Sequence, residues 1–519
     1  MLRRRSILAG IAGNAVVGRI CCAADRFADF PVSPEDYGAV GDGVADDYPA
    51  WLVMADAAST GGPKTIACRP NRTYLLNRYV DGVGSTVRDI IWRNANGLSI
   101  NLNGSTVRVR GGFNRNNIAI RTLEPFRIFN CNGFRLFGGV IDGANATIIK
   151  RSGVTEAEAH GIEIGSCLGG SLHDLEIRNF ISDGVVIGNS DFTPRNPLLA
   201  SRNISLEKVN SHHNGRQALT LSQVYGFSAS NCNFDDTGQS SYGWHAPGNG
   251  LDVEPDRFTT TAAPFQMDIN TGNIRFDNCA FNNNVGQCVG TTYGQYVNDI
   301  VFSGCSMDVG AGNVPSDYGV LISSSGVVID SCKINVRDRT LFFGFNDSNF
   351  TGRFSHNTIY GSGTLFRCLV NAPMLAQYND FFSTKEQPDA AQVIYLSNTK
   401  GAFLNNTISI PAAGYQSDGG GGRSLRTILN KLALCANNSY ATDLRAFPSD
   451  GGTAHFASAY DGAGLAFNEN YAGTARGPSD SFRPGVNSRF DTSNPFSLNA
   501  AGDVNARADA ILASIEYPR

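Results

Sequence analysis

Charge and sulfur are sparse in this 519-residue chain: charged residues make up 17% of it, and there are five methionines and twelve cysteines. No C-x-x-C or C-x-x-H pair occurs with zinc-ligand spacing, so a structural zinc site is excluded. Gly38 to Gly43 is glycine-rich, but no Lys-Ser/Thr follows, and nucleotide binding through a phosphate loop is excluded with it. Apolar residues do not recur at steps of three and four through the body of the chain, which rules out a helical solenoid. Long hydrophobic runs are missing as well. The apolar run that follows Arg3-Arg4-Arg5-Ser6-Ile7-Leu8 ends at Val17, too short for a permanent membrane anchor.

That N-terminal segment reads instead as an export signal, residues 1–24, with an Ala23-Ala24 cleavage site. Arg4-Arg5-Ser6-Ile7-Leu8 resembles the twin-arginine pattern, so the expected destination is the periplasm or the exterior of a bacterium. Four arginines and no acidic residue leave with the segment, moving the net charge from -4 to -8. A negative balance of that size argues against nucleic acid as a partner.

The chain is rich in glycine, 58 residues, and in asparagine. Both suit frequent tight turns. It also repeats. Segments like Ile274-Arg275-Phe276-Asp277-Asn278-Cys279-Ala280-Phe281 recur, centred at Cys232, Cys305 and Cys332. Ser105, Gly139, Leu175, Val209, Asn357, Tyr378 and Asn406 take the cysteine's place elsewhere. Spacings run 34, 36, 34, 23, 47, 26, 27, 25, 21 and 28 residues. Short alternating strands at such a period build stacked coils, and the 47-residue step is either two coils or one with an insertion. The aligned cysteines are expected to stack as small inward residues with free thiols, although an exported chain could also pair some of them.

Gly38-Ala39-x-Gly41-Asp42-Gly43-x-x-Asp46-Asp47 and the strand-like Lys64 to Leu76 resemble the opening of the pectate-lyase-like superfamily, which includes polygalacturonases, rhamnogalacturonases, epimerases and phage tailspikes. The resemblance implies an all-β fold, a right-handed parallel β-helix solenoid. It also implies a short N-terminal capping helix, here over Ala50 to Ala58, although Tyr48-Pro49 departs from the family pattern. The expected organisation is a cap over 25–80, the β-helix over 81–410, and an irregular C-terminal tail over 411–519. Within that tail, Ser424 to Ala433 and Val504 to Ile515 read as helices. The polygalacturonase motif set is not reproduced: Ser182-Asp183-Gly184 matches one piece, and the rest is not found in order.

Chemistry concentrates between Ser211 and Asp256. Strands His160-Gly161-Ile162-Glu163-Ile164, Asp183 to Ile187, Gln217 to Leu221 and Asn249 to Glu254 place Glu163, Val186, Thr220 and Asp252 in one outward column. His160, Asp183, Gln217 and Asn249 form a second column beside it. Asp252 and Glu254, at i and i+2, lie on one side of a strand with Cα atoms about 6.5 Å apart. Mutual repulsion should raise the pKa of one, leaving an acid beside a base. Asp252 and Glu254 are the candidate catalytic pair, with Asp183 in reserve. Arg216, Gln217, His213, Glu163, His160, Trp244, His245 and Tyr242 are candidate substrate contacts: aromatics stack on sugar faces, and Arg and Gln recognise hydroxyls or carboxylates. Exposed acids on a solvated strand face would look the same in sequence.

The pattern points to a secreted glycoside hydrolase acting on a polysaccharide, with no cofactor required and no metal site. Two alternatives stay open. One is a polysaccharide lyase or epimerase acting on a uronate, with Arg216 taking a proton and Ca²⁺ held by the same acids. The other is a β-helix that only binds glycans or serves as a tailspike.

Overall fold

Each coil of the chain is three short strands separated by turns, and the backbone conformation at one corner explains why so many asparagines and glycines recur. The computed structural model describes residues 31–77, 89–109, 123–144, 160–188, 200–239, 247–255, 271–291, 297–310, 318–344, 351–368, 374–384, 392–397, 401–410, 426–430, 434–436, 438–442, 465–467 and 470–472. On the first face, Val185, Leu219, Leu251 and Val289 pair in parallel from coil to coil. On the second, Ile204, Phe227, Ile274 and Ile300 do the same. Phe281, Met307, Ile334, Ile359, Phe381 and Ile408 form the third. The first face is a 12-stranded sheet, and the other two are joined in a 26-stranded sheet.

Between the second and third faces one residue per coil adopts the left-handed conformation, among them Gly138, Asp174, Lys208, Asn231, Asn278, Gly304, His356 and Tyr378. Gly and Asn enter that region at least cost. The residue that follows turns inward. The register makes it Ser105, Gly139, Leu175, Val209, Cys232, Cys279, Cys305, Cys332, Asn357, Asn379 and Asn406. The expected position Tyr378 is therefore one residue early: Tyr378 occupies the corner and Asn379 the inward site. The pairing of Asn233 with Ala280 makes the long step one coil carrying an insertion.

All nine cysteines whose side chains are described are buried and free, including the stack Cys232, Cys279, Cys305 and Cys332. Further along, the same inward site becomes an asparagine ladder. Asn379 donates from Nδ2 to Asn406 Oδ1 (2.9 Å) and to the Phe354 carbonyl (2.9 Å), and its own Oδ1 accepts from the Asn357 backbone N–H (3.0 Å) and side-chain amide (2.9 Å). Each buried amide is thereby satisfied by its neighbours in adjacent coils. Rings stack inside in the same manner, as in Phe276 on Phe302, with centroids 5.1 Å apart.

The opening motif proves structural. Asp47 is buried and accepts backbone N–H bonds from Val40 (2.6 Å), Gly41 (3.3 Å) and Leu75 (3.2 Å). Asp46 accepts from Tyr48 and Asn77, and Asp42 from Val44 and Ala45. A helix over Tyr48–Ser59 then buries Trp51 against Tyr74 and Phe126, with centroids 5.5 and 5.7 Å away. Stacking already begins inside the stretch expected to be cap alone, since Asp42–Asp46 pairs with Thr73–Leu76 and Thr73–Leu76 with Thr106–Val109.

At the other end the expected helix over Ser424 to Ala433 is corrected. Arg426–Asn430 is a strand in parallel register with Gln392–Ser397. The coils also continue beyond 410: Ser439–Thr442 pairs with Thr407–Ile410, and Asn470–Ala472 pairs with Ser439–Thr442. Val504 to Ile515 lies outside the described residues, as does the export signal. No helix among the described residues is long and apolar enough to cross a membrane.

Candidate active site on the first face

Alternation along the short strands decides which side chains leave the core. Leu251 and Val253 are buried in the core cluster, so Asp252 between them faces outward. Parallel pairing then puts Arg127, Glu163, Val186, Thr220, Asp252 and Gly290 in one column. The turn residues His160, Asp183, Gln217 and Asn249 align beside it. The N–H groups of Gly161, Gly184 and Ala218 donate in turn to the carbonyls of Asp183, Gln217 and Asn249.

Both columns match the sequence expectation, but the wall is not a solvated one. Asp252 is 4% exposed, Glu163 5%, Thr220 8% and Asp183 0%. Polar groups at such burial must satisfy one another, and they do. Gln217 Nε2 donates to Asp252 Oδ2, and the Thr220 hydroxyl faces both Gln217 Oε1 and Asp183 Oδ2, the latter at 2.8 Å. Arg216 Nη1 lies 3.4 Å from Asp183 Oδ2 and His160 Nδ1 3.7 Å from it. The half-buried Glu254 extends the strand end, its N–H donating to the Leu221 carbonyl.

The Asp252 pKa is pushed up to about 7. Burial is the largest cause, followed by the neighbouring Glu254 charge. Arg216 pulls the other way, Asp183 adds to the rise, and the Gln217 hydrogen bond lowers it. The direction is the expected one and the leading cause is not: desolvation outweighs carboxylate repulsion. A carboxyl that exchanges its proton near neutral pH, within the field of a second carboxyl one residue past the strand end, has the composition needed to protonate a leaving oxygen while activating water.

Other candidates are placed differently. Asp183 has no accessible surface and holds Thr220 and Arg216, so it lies behind the surface. Glu163 is locked onto Arg127, Nε to Oε2, at 2.5 Å. Arg127 also reaches Asp89 (2.9 Å) and Glu124 (3.1 Å). With three carboxyls around one guanidinium, Glu124 has its pKa raised well above the ordinary value, by burial first and by Glu163 second. Sequence reading missed this cluster. The signal was available: Phe126-Arg127-Ile128 repeats the Ile162-Glu163-Ile164 pattern one coil earlier.

His212 and His213 belong to another group at the end of the third face. The ring Nε2 of His212 lies 3.1 Å from Glu176. His213 adopts a left-handed φ of 57°, and its pKa is lowered by burial and then by His212. Tyr242, Trp244 and His245 lie outside the described residues.

Three stacked parallel ladders define the chain as a β-helix solenoid protein. No protein-family model matches it, and no curated protein matches it in sequence. Solved structures do match. PfbA, a surface adhesin of Streptococcus pneumoniae, superposes with a TM-score of 0.50 at 15% identity, covering 73% of this chain and 90% of the adhesin. The tailspike protein of E. coli bacteriophage HK620, solved with a pentasaccharide, gives 0.50 at 12% identity, covering 82% of this chain and 78% of the tailspike. An Azotobacter vinelandii mannuronan C-5 epimerase module gives 0.49 at 16%, covering 85% and 99%. The particular solenoid fold is thus a parallel β-helix.

Proposed function

We propose that the protein is an exported glycoside hydrolase that cleaves a polysaccharide on the first face of the solenoid, with Asp252 as general acid and Glu254 as base or nucleophile. The observation that carries this reading is Asp252, held outward at the end of a buried hydrogen-bond chain and tuned near neutral pH by its surroundings. An acid is most effective when its pKa lies near working pH. Neighbours in fold include an adhesin and a tailspike solved with a pentasaccharide, which supports glycans as the class of ligand.

The lyase or epimerase reading would have Arg216 take a proton from a uronate. Arg216 Nη1 stands 3.4 Å from the Asp183 carboxyl instead, a pairing that supports a positioning role for it over that of a base. The test is a screen of the purified protein against microbial and plant polysaccharides, reading reducing ends and ultraviolet-absorbing unsaturated products. Asp252→Asn and Glu254→Gln should each lower turnover by roughly 100-fold or more. Undiminished turnover in both would refute the site. Unsaturated product would replace hydrolase with lyase, and binding without cleavage would leave a glycan-binding solenoid.

A further inference from the structure

The Thr220 hydroxyl has one hydrogen and stands against two acceptors, Asp183 Oδ2 and Gln217 Oε1. It can serve one at a time. The amide of Gln217 occupies the same volume when its oxygen and nitrogen exchange places, so the chain Asp183, Thr220, Gln217, Asp252 can be written in two directions. With Asp252 ionised, Gln217 Nε2 donates to it, the Thr220 hydroxyl donates to Gln217 Oε1, and Asp183 loses that donor. With Asp252 protonated, its O–H donates to Gln217 oxygen, the amide N–H donates to Thr220 Oγ1, and the Thr220 hydroxyl donates to Asp183. The second arrangement satisfies every link, and the first leaves Asp183 one short.

We propose that Gln217 and Thr220 form a reversible hydrogen-bond relay whose direction follows the protonation of Asp252. Asp183 thereby favours the protonated acid from behind the surface. No proton passes through the amide. The proton leaves Asp252 for the leaving oxygen of the substrate, after which the amide turns to donate to the new carboxylate. This consequence for catalysis rests on the reading of Asp252 as the acid, but the relay itself is a property of the folded protein. Gln217 and Thr220 are positioning residues that never touch substrate in this scheme.

The other groups that bear on Asp252 are part of the same balance. Glu254, one residue past the end of the same strand, opposes ionisation, and so does the Asp183 charge, while Arg216, from the preceding coil, favours it. His160 lies on the far side of Asp183. In the following coil the position paired with Asp252 is Gly290, which carries no charge.

Infrared difference spectra of the full-length protein across pH 5 to 9 test the relay through the carbonyl stretch of a protonated carboxyl. Asp235 and Glu124 also carry raised pKa values, so the band that reports Asp252 is the component lost with a midpoint near 7 in wild type and absent from Asp252→Asn. Thr220→Val removes the hydroxyl at nearly constant volume, so ionising Asp252 no longer takes a hydrogen bond from Asp183. Its midpoint should fall by roughly one pH unit. Thr220→Ser, which keeps the hydroxyl, should restore the wild-type midpoint. An unchanged midpoint in Thr220→Val, or equal shifts in Val and Ser variants with native circular dichroism, would overturn the relay. If the midpoints move as expected while the wild type cleaves no polysaccharide, the relay stands and the hydrolase reading falls.

Discussion

Replacing Asp252 by asparagine should stabilise the protein at alkaline pH while abolishing the acid function proposed for it. The carboxyl titrates at about 7 in the fold against an ordinary value of 3.8. The native state therefore holds this proton more tightly than the unfolded chain does. Between roughly pH 4 and 7 the native state binds more protons at this site, so stability falls as pH rises through that window and levels off above it. At about 1.4 kcal/mol per pH unit, the full cost at pH 8 is about 4 kcal/mol. Asparagine copies the neutral acid: its amide can donate to Gln217 as the protonated carboxyl does, and it has no charge to bury. The stability difference between Asp252→Asn and wild type should be near zero at pH 4 and rise to a few kcal/mol in favour of the variant at pH 8. Every other titrating group is common to both proteins and cancels. Urea unfolding, incubated until unfolding and refolding curves coincide, measures the difference at each pH. A pH-independent difference, or a variant less stable than wild type at pH 8, would refute the argument that burial sets the state of this acid.

Three further outcomes follow from other parts of the fold. Asn379→Ala leaves the Asn357 N–H, one Asn357 amide hydrogen and the Phe354 carbonyl short of partners. It should destabilise by roughly 3 kcal/mol in urea unfolding, and a loss below 1 would mean the ladder is replaceable by water. Arg127→Met removes the guanidinium shared by Asp89, Glu124 and Glu163. The loss should be roughly 3 to 5 kcal/mol in thermal melts at pH 8, and a loss below 1 would mean that the three carboxyls do not depend on the guanidinium. Finally, the nine buried free thiols should react slowly with a thiol reagent in the native protein and fast in denaturant. A disulfide-linked peptide containing any of them, found by mass spectrometry, would contradict the packing.

Much of the coil architecture was readable because one inward position per coil, held by cysteine in four successive coils, marks the period. The slip from Asn379 to Tyr378 has a local cause. The left-handed corner accepts residues as different as Lys208, His356 and Tyr378, so composition there does not identify the register. The helix expected over Ser424 to Ala433 failed for another reason. Leu425, Ile428, Leu429 and Leu432 do recur at helical spacing, but the edge of the preceding coil offers Arg426–Asn430 a ready row of hydrogen-bond partners. Such tertiary pairing overrides a local preference.

At the site, the order of residues along each strand and the spacing of coils determined that Asp252, Thr220 and Glu163 share an outward column beside Gln217, Asp183 and His160. Side-chain alternation is a property of the extended backbone, so sequence alone carries it. Which of those residues water reaches is not such a property. Only the assembled solenoid decided that the column is buried, that Glu163 answers to Arg127 from the coil before, and that Asp252 is neutralised more by loss of solvent than by Glu254. Burial depends on everything packed around a group, and no local stretch of chain contains that information.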